Sequence, residues 1–527
     1  MTNSLEDPRA QLRRSVYLLL IFLGMGGLLG RMFAVESVDK IALEDYRLKK
    51  VTEKLDRARK TYEAKGLEGE RLEAELAKFA DNEGLKQFAE LRRPFLSAND
   101  RSRWCTLRAL VEDDLRVEGH PYSIDNVIDE PKWDTIDMVK HGGHLGHLYS
   151  SKPPLFPTML AGEYWLIHRA TGMTLGTHPY WVGRFILITV NGTAMLVFFF
   201  LLARLVERYG TTDWGRIFVM GAGVFGTFLT TFAVTINNHT PAAVSAMIAI
   251  YAAMRICCDG ERRWRYFIAA GLFAAFAAAN ELPALAFLAA LSALLLWKSP
   301  GRTILVYVPA ALVVVAAFFG TNWLAHESYL PPYLHRNTET GLCADDDNDA
   351  DEANDNWYDY TYQRNGKTYE SYWNNPVGVD RGEPSARVYA MNILVGHHGV
   401  FSLTPVWLLS VVGGLLWLCN RREPDLRKVA ALIAIVSMVC MAFYLTRPLM
   451  YRNYGGVTSG LRWMFWFAPL WLLIMLPAAD MVGRWRFTRI VALVLLAASV
   501  LSAAYPTWNP WTHPWLMNYW HYLGWIA

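Results

Sequence analysis

Pro153-Pro-Leu-Phe-Pro-Thr-Met-Leu-Ala-Gly-Glu-Tyr-Trp-Leu-Ile-His168 is apolar but only about 16 residues long. That is short of the ~20 residues a helix needs to cross the hydrocarbon core. Whether it crosses decides the side on which every later loop falls. If it does not, Trp181–Glu207 is the second span, and the loop ends on one side collect nearly all the clustered cations. These are Arg204, Arg208 and Arg216, then Arg255, Arg262, Arg263 and Arg265, then Lys298 and Arg302. Arg421, Arg422, Arg427 and Lys428 follow, with Arg484, Arg486 and Arg489 last. Short cytoplasmic loops carry an excess of Lys and Arg, so this side is the inside. A crossing at 153–168 would put every cluster outside. The segment therefore reads as a helix lying along the outer surface, with Tyr164 and Trp165 suited to the interface.

The wider composition agrees. Of 527 residues 53% are apolar, and several runs reach spanning length, which makes the chain a polytopic helical membrane protein. A net charge of +3 is no footprint for nucleic acid. Six cysteines show no CxxC pair, which argues against a zinc site.

The chain divides as follows. Residues 1–34 are a basic cytoplasmic tail and first span; the alternative, a signal peptide, lacks a small-residue cleavage site. Residues 35–95 are rich in Glu, Lys, Leu and Ala and read as a charged exocytoplasmic helical hairpin, about 40–64 and 68–92, a spacer or a surface for a protein partner. Residues 96–180 form the first outer loop, and 181–324 hold spans two to seven. Residues 325–399 are a large acidic outer loop, 400–505 hold spans eight to eleven, and 506–527 are a Trp-rich outer tail. The expectation is about eleven transmembrane helices, N-terminus inside, in the cytoplasmic membrane.

This topology filters the charged residues. Outer-face charges near span ends break the pattern: Asp129, Glu130, Lys152, Arg184, Glu281, Arg447, Arg452 and Arg462. Ionisable groups at that depth are costly and point to function. Arg447, Arg452 and Arg462 surround the small-residue loop Tyr454-Gly-Gly-Val-Thr-Ser-Gly460, and arginine forks suit a phosphate. Asp129 and Glu130 precede a short phrase, Trp133–His141, that reads as helical. Acids are favoured at a helix start; the functional alternative is a general base on the outer face. Asp125 is the reserve base.

Ile128-Asp-Glu-Pro-Lys-Trp-Asp-Thr-Ile-Asp-Met138, then Gly142-Gly143, then Tyr149-Ser-Ser-Lys-Pro-Pro-Leu155 resembles the first outer loop of GT-C glycosyltransferases of the protein O-mannosyltransferase and lipid A aminoarabinose transferase group. In that group an Asp-Glu pair opens a juxtamembrane helix, a Lys-Pro-Pro-Leu phrase follows, and an Arg-led span comes next, here at Arg184. The Gly-Gly-x-x-x-Gly-x-Arg462 phrase is similar to the group's late motif near the donor phosphate. The resemblance implies a GT-C-like fold with juxtamembrane helices in the first outer loop. It implies a membrane-bound polyprenyl-phosphate sugar as donor, with transfer to an exocytoplasmic acceptor that the sequence does not identify. Asp129 would be the base in an inverting attack, with Glu130 positioning the acceptor or sharing that role. Lys152, Arg184, Arg447, Arg452 and Arg462 would serve the substrate phosphate, with no required cofactor or metal. Two places depart from the group: Ile236-Asn-Asn-His239-Thr-Pro241 stands where the aminoarabinose branch has an Asp, and Asn280-Glu281-Leu282 where it has Thr-Lys-Gly. His239 and Glu281 therefore join the substrate-binding candidates.

Two rivals stand beside this reading, a transporter or flippase of lipid-linked saccharides and a catalytically silent scaffold. A transporter calls for repeats and mid-span charges, and the unusual charges here lie at span ends. His141, His144 and His147 have a spacing that can ligate metal, though the glycines between them favour a turn. Asp345–Asp355 begins like a calcium loop but lacks Gly at the sixth place and Glu at the twelfth. It reads as a solvated acidic loop, with Ca2+ at Asp345, Asp347 and Asp349 as the alternative. Cys105 and Cys343 fall in two outer loops and could pair in an oxidising compartment.

Overall fold

The computed structural model describes residues 8–39, 42–141, 146–336, 356–364 and 366–526, with side chains of the second helix from Arg47 onward. Asp345, Asp347, Asp349, Cys343 and His144 lie outside the described residues. Cys105 is a free, buried thiol that donates to the Trp133 carbonyl at 3.4 Å.

Among the described residues, eight helices are long and apolar enough to cross a membrane, and the chain is a multi-pass membrane protein. They are Pro8–Phe33, Pro179–Tyr209, Asp213–Phe232, His239–Cys257, Pro300–His326, Pro424–Leu445, Arg462–Val482 and Arg486–Ala504. The other three expected spans are helices too, at Trp264–Asn280, Leu282–Lys298 and Trp407–Cys419, but they are shorter. Leu155–Thr171 is a 17-residue helix. It buries Leu155, Phe156, Leu160 and Tyr164, packs against the helix Ala98–Val111, and leaves Met159, Trp165 and Leu166 exposed.

His239–Cys257 is the innermost span. It packs along Trp264–Asn280, and both helices bury small residues, Ala242, Ala246, Ala249 and Ala253 on one and Ala270, Ala274 and Ala277 on the other. Small side chains let two backbones approach, and dispersion over a long close contact replaces the hydrophobic drive that lipid cannot supply. Gly271 serves the other neighbour of Trp264–Asn280: a Cβ on it would fall on the carbonyl oxygen of Tyr307, in the span Pro300–His326.

At the opposite end of the spans from the site described below, Asp480 clamps a loop. Its carboxylate accepts from Thr211 N at 2.7 Å, Thr212 N at 2.8 Å and Thr212 Oγ1 at 2.7 Å. Asp480→Ala strands these donors, and the expected cost is about 3 kcal/mol of stability. The melting temperature in detergent checks it, against the exposed Asp114→Ala. Equal melting of the two would contradict the clamp.

The first outer loop differs from expectation. Trp133–His141 is not a helix. One 3-10 turn, Pro131–Trp133, leads to a strand, Met138–Lys140, paired antiparallel with Leu148–Ser150. The register puts Met138 opposite Ser150. Tertiary partners decide this: Lys140 N donates to Trp357 O at 3.0 Å, and Tyr360 OH donates to Met138 O at 3.2 Å. A helix would have consumed those groups internally. Asp129 likewise follows the single turn Asp125–Ile128 rather than opening a helix.

The charged segment forms helices Ala42–Glu63 and Gly69–Asn82, which pack through Ala58, Tyr62, Leu72, Leu76 and Phe79, followed by Leu85–Glu90. At its root Asp39 pairs with Arg93 at 2.8 Å and Arg47 at 3.0 Å.

Candidate functional site

The helix Ala98–Val111 is buried on nearly every side, so its charged residues face protein. Arg103 is one of them. Its guanidinium donates to Asn99 Oδ1 at 2.8 Å and to Asn238 Oδ1 at 2.7 Å. Asn238 Nδ2 in turn donates to Glu281 Oε1 at 2.6 Å. The same carboxylate oxygen lies against His239 Nδ1. His239 Nε2 stands 3.0 Å from Arg462 Nη1. Arginine only donates, so Nε2 accepts and the histidine proton sits on Nδ1, facing Glu281. Arg462 Nε donates to Gly455 O at 2.7 Å, and its guanidinium lies 5.0 Å from the ring of Trp511. One polar chain thus runs Arg103–Asn238–Glu281–His239–Arg462, joining the first outer loop to the starts of two spans. Asp100 supports it. The carboxylate accepts from Ile236 N at 3.0 Å and Trp104 Nε1 at 2.9 Å, and burial pushes its pKa up to about 7.

The second part is the hairpin. Ser151 N donates to Asp137 O at 3.1 Å, so the ladder places Asp137 beside Lys152. Lys152 Nζ donates to Asp137 Oδ1 at 2.7 Å, and both side chains are largely buried. Burial alone would raise the Asp137 carboxyl. The Lys152 ammonium, with Arg462 and Arg103, outweighs that and holds it below the ordinary range. Burial draws Lys152 down to about 8, against the attraction of Asp137; Arg103 and Arg462 push the same way. Arg103, Lys152 and Arg462 therefore gather around Asp137 and Glu281. Repulsion among three buried cations is costly, and an anionic ligand would relieve it.

Of the residues singled out in the sequence, Lys152, His239, Glu281 and Arg462 come together here. The others lie elsewhere. Asp129 is exposed. Glu130 pairs with Arg108 at 2.8 Å and Lys132 at 3.3 Å. Arg184 donates to Val35 O at 2.8 and 2.9 Å, at the root of the charged helices. Arg447 stacks on Tyr451, its guanidinium 4.1 Å from the ring, and Arg452 donates to Arg447 O at 2.9 Å. Asp125 accepts from His147 Nδ1 at 2.6 Å and from Leu148 N at 2.7 Å, closing the turn. Asp137, Arg103 and Asn238 were not singled out. The signal for Asp137 was partial: Gly142-Gly143 between two short β-prone runs marks a hairpin, but a two-residue loop there would set 137 opposite 148, and only the fold gives the register with 138 opposite 150.

Among the described residues no cluster of three or more His, Cys, Asp or Glu could hold a metal ion. Fold and site define a multi-pass helical membrane protein with a buried, cation-rich site at one end of its spans. No protein-family model matches the sequence, and comparison with curated proteins gives no match. Solved structures give weak likenesses. The archaeal oligosaccharyltransferase AglB from Archaeoglobus fulgidus in complex with an inhibitory peptide and a dolichol-phosphate is 11% identical, with a TM-score of 0.37 over 79% of this chain and 56% of that one. The Archaeoglobus fulgidus oligosaccharyltransferase in the apo form is 10% identical, with a TM-score of 0.36 over 81% of this chain and 57% of that one. The same enzyme with Zn and sulfate is 13% identical, with a TM-score of 0.36 over 81% of this chain and 55% of that one. The chain spans just over half the length of these proteins.

Proposed function

We propose that the chain is a membrane glycosyltransferase of GT-C type that moves a sugar from a polyprenyl-phosphate donor to an acceptor at the exocytoplasmic face. The observation that carries this reading is the convergence of Arg103, Lys152 and Arg462 on the Asp137 carboxylate at the ends of the spans. A lipid phosphate is a good leaving group and needs little acid help. It needs positive charge as the bond from the anomeric carbon to the phosphate oxygen breaks and the electron pair passes to phosphate. The two arginines and Lys152 supply it in a buried setting. Asp137 takes the proton of the acceptor hydroxyl as its oxygen bonds the anomeric carbon from the opposite face, so configuration inverts. A carboxyl held below the ordinary range is a weak base, and the transfer comes late, once the attacking oxygen has become acidic. Asp129 is the alternative base, and parallel substitution separates the two. The eleven crossings and the cytoplasmic N-terminus belong to the same proposal.

Labelled polyprenyl-phosphate sugars incubated with membranes holding the protein test it. Label is expected in an acceptor fraction only when the protein is present. Export of intact donor without transfer would replace the enzyme by a flippase.

A pH profile adds a check. Lys152 sits at about 8, below its ordinary 10.5, so the folded chain gives up this proton first. Between those values the unfolded chain binds more protons, and folding stability from this group rises with pH. A step that needs the ammonium shows the reverse. Transfer is expected to fall as pH climbs through about 8, and Lys152→Arg is expected to remove that limb. An unchanged profile in Lys152→Arg would take Lys152 out of the phosphate-binding set.

A further inference from the structure

Beside the site lies a cavity of about 260 Å³ whose walls include Arg336, Tyr358, Trp373, Asn374, Asp380 and Arg381. Arg336 is its unusual member. The guanidinium lies 4.4 Å from the Trp373 ring, 5.3 Å from Tyr358 and 5.3 Å from Tyr451. Three aromatic rings hold it in place. Among the described residues its guanidinium makes no ion pair and no hydrogen bond, whereas those of Arg103, Arg452 and Arg462 donate to oxygen. A planar fork of five donors, fixed by stacking and left without an acceptor, suits a carboxylate or phosphate. Arg381 adds a second cation at the rim.

The cavity is tied to the reacting centre. Trp373 Nε1, in its wall, donates to the carbonyl of Ile136, the residue before Asp137, at 3.0 Å. Asp380 accepts from Tyr372 OH at 3.0 Å and Asn453 Nδ2 at 3.2 Å, in the loop that leads to Arg462. The space is too small for a lipid chain or a polypeptide segment. It fits one sugar-sized ring, with aromatic walls for its faces and Asn374, Asp380 and Arg381 for its hydroxyls.

We infer that this cavity binds the acceptor, and that the acceptor is a saccharide bearing an anionic group, carboxylate or phosphate, gripped by Arg336 while a neighbouring hydroxyl reaches Asp137. The inference rests on the glycosyltransferase reading for the word acceptor; the anionic-saccharide site stands on Arg336 and its cage.

Binding to the purified full chain in detergent, without donor, tests it. The probes are glucuronate, glucose 6-phosphate, glucose and inorganic phosphate, and the readout is calorimetry. At least one of the two anionic sugars is expected to bind at least about tenfold tighter than glucose. The better one identifies the anion. Arg336→Gln is expected to erase the preference, and Arg336→Lys, which keeps the charge without the fork, to retain part of it. Three results overturn the inference: glucose binding as well as both anionic sugars, an undiminished preference in Arg336→Gln, or inorganic phosphate matching the sugars, which would mean an adventitious ion only. If Arg336→Gln does not fold, the wild-type preference and Arg336→Lys still decide. Failure here with sugar transfer intact removes only this inference. Arg336-dependent binding in a protein that transfers from no polyprenyl donor removes only the glycosyltransferase reading.

Discussion

Asp137→Asn lowers transfer from a polyprenyl-phosphate sugar by about 10²–10⁴-fold, the usual worth of a positioned general base. Asparagine keeps the shape and can still accept from Lys152 Nζ, now 2.7 Å from Oδ1, so packing is retained. What goes is the negative charge and the ability to take a proton. The loss is expected in kcat rather than in donor KM, because the base acts on the acceptor. Asp129→Asn, at an exposed site, is expected to leave transfer within about twofold, as most surface changes do. The opposite pair of results, a silent Asp129→Asn and an active Asp137→Asn, would return the base to Asp129. The labelled-donor assay measures both variants side by side, with melting temperature as the control for folding.

Arg462→Gln carries the second large effect. Arg462 is the buried cation that reaches the loop Tyr454–Gly460 through Gly455 O and the span His239–Cys257 through His239 Nε2. Removing one preorganised donor to a developing anion costs about 10²–10³-fold in kcat. Arg462→Lys keeps the charge but loses the fork, so it is expected to recover part of the rate, and a full loss in both would mark Arg462 as a structural tie. The salt dependence of donor binding separates these further. A phosphate ligand makes Arg462→Gln weaken donor binding, while a structural tie lowers the melting temperature instead.

Much of the site was legible along the chain because it breaks a pattern. Lys152, Glu281 and Arg462 are charges at the ends of apolar runs, where desolvation makes an unpaired ion costly. His239 was marked only through the resemblance, in the phrase that stands where the aminoarabinose branch has an Asp. Arg447 and Arg452 carry the same mark, yet the guanidinium of Arg447 lies on rings and that of Arg452 donates to the backbone carbonyls of Arg447 and Pro384. Hydropathy registers that a charge is near a membrane, and it is blind to which partner satisfies it. Asp137, Arg103 and Asn238 carry no such mark. They lie in polar segments where charge is ordinary, and only the folded chain shows that these particular ones are buried.

The sequence by itself determined the helical membrane class, the places of the long apolar spans and the short helix at Leu155–Thr171, since these follow from run length and amphipathic spacing. Only the tertiary structure decided which charges meet. Residues 103, 137, 152, 239, 281 and 462 are brought together by the strand pair at Met138–Ser150 and by the packing of span ends. A one-residue slip in the register of that pair would turn the side chains of its strands to the opposite face. The energy that chooses strand over helix there comes from Trp357 and Tyr360, more than 200 residues away.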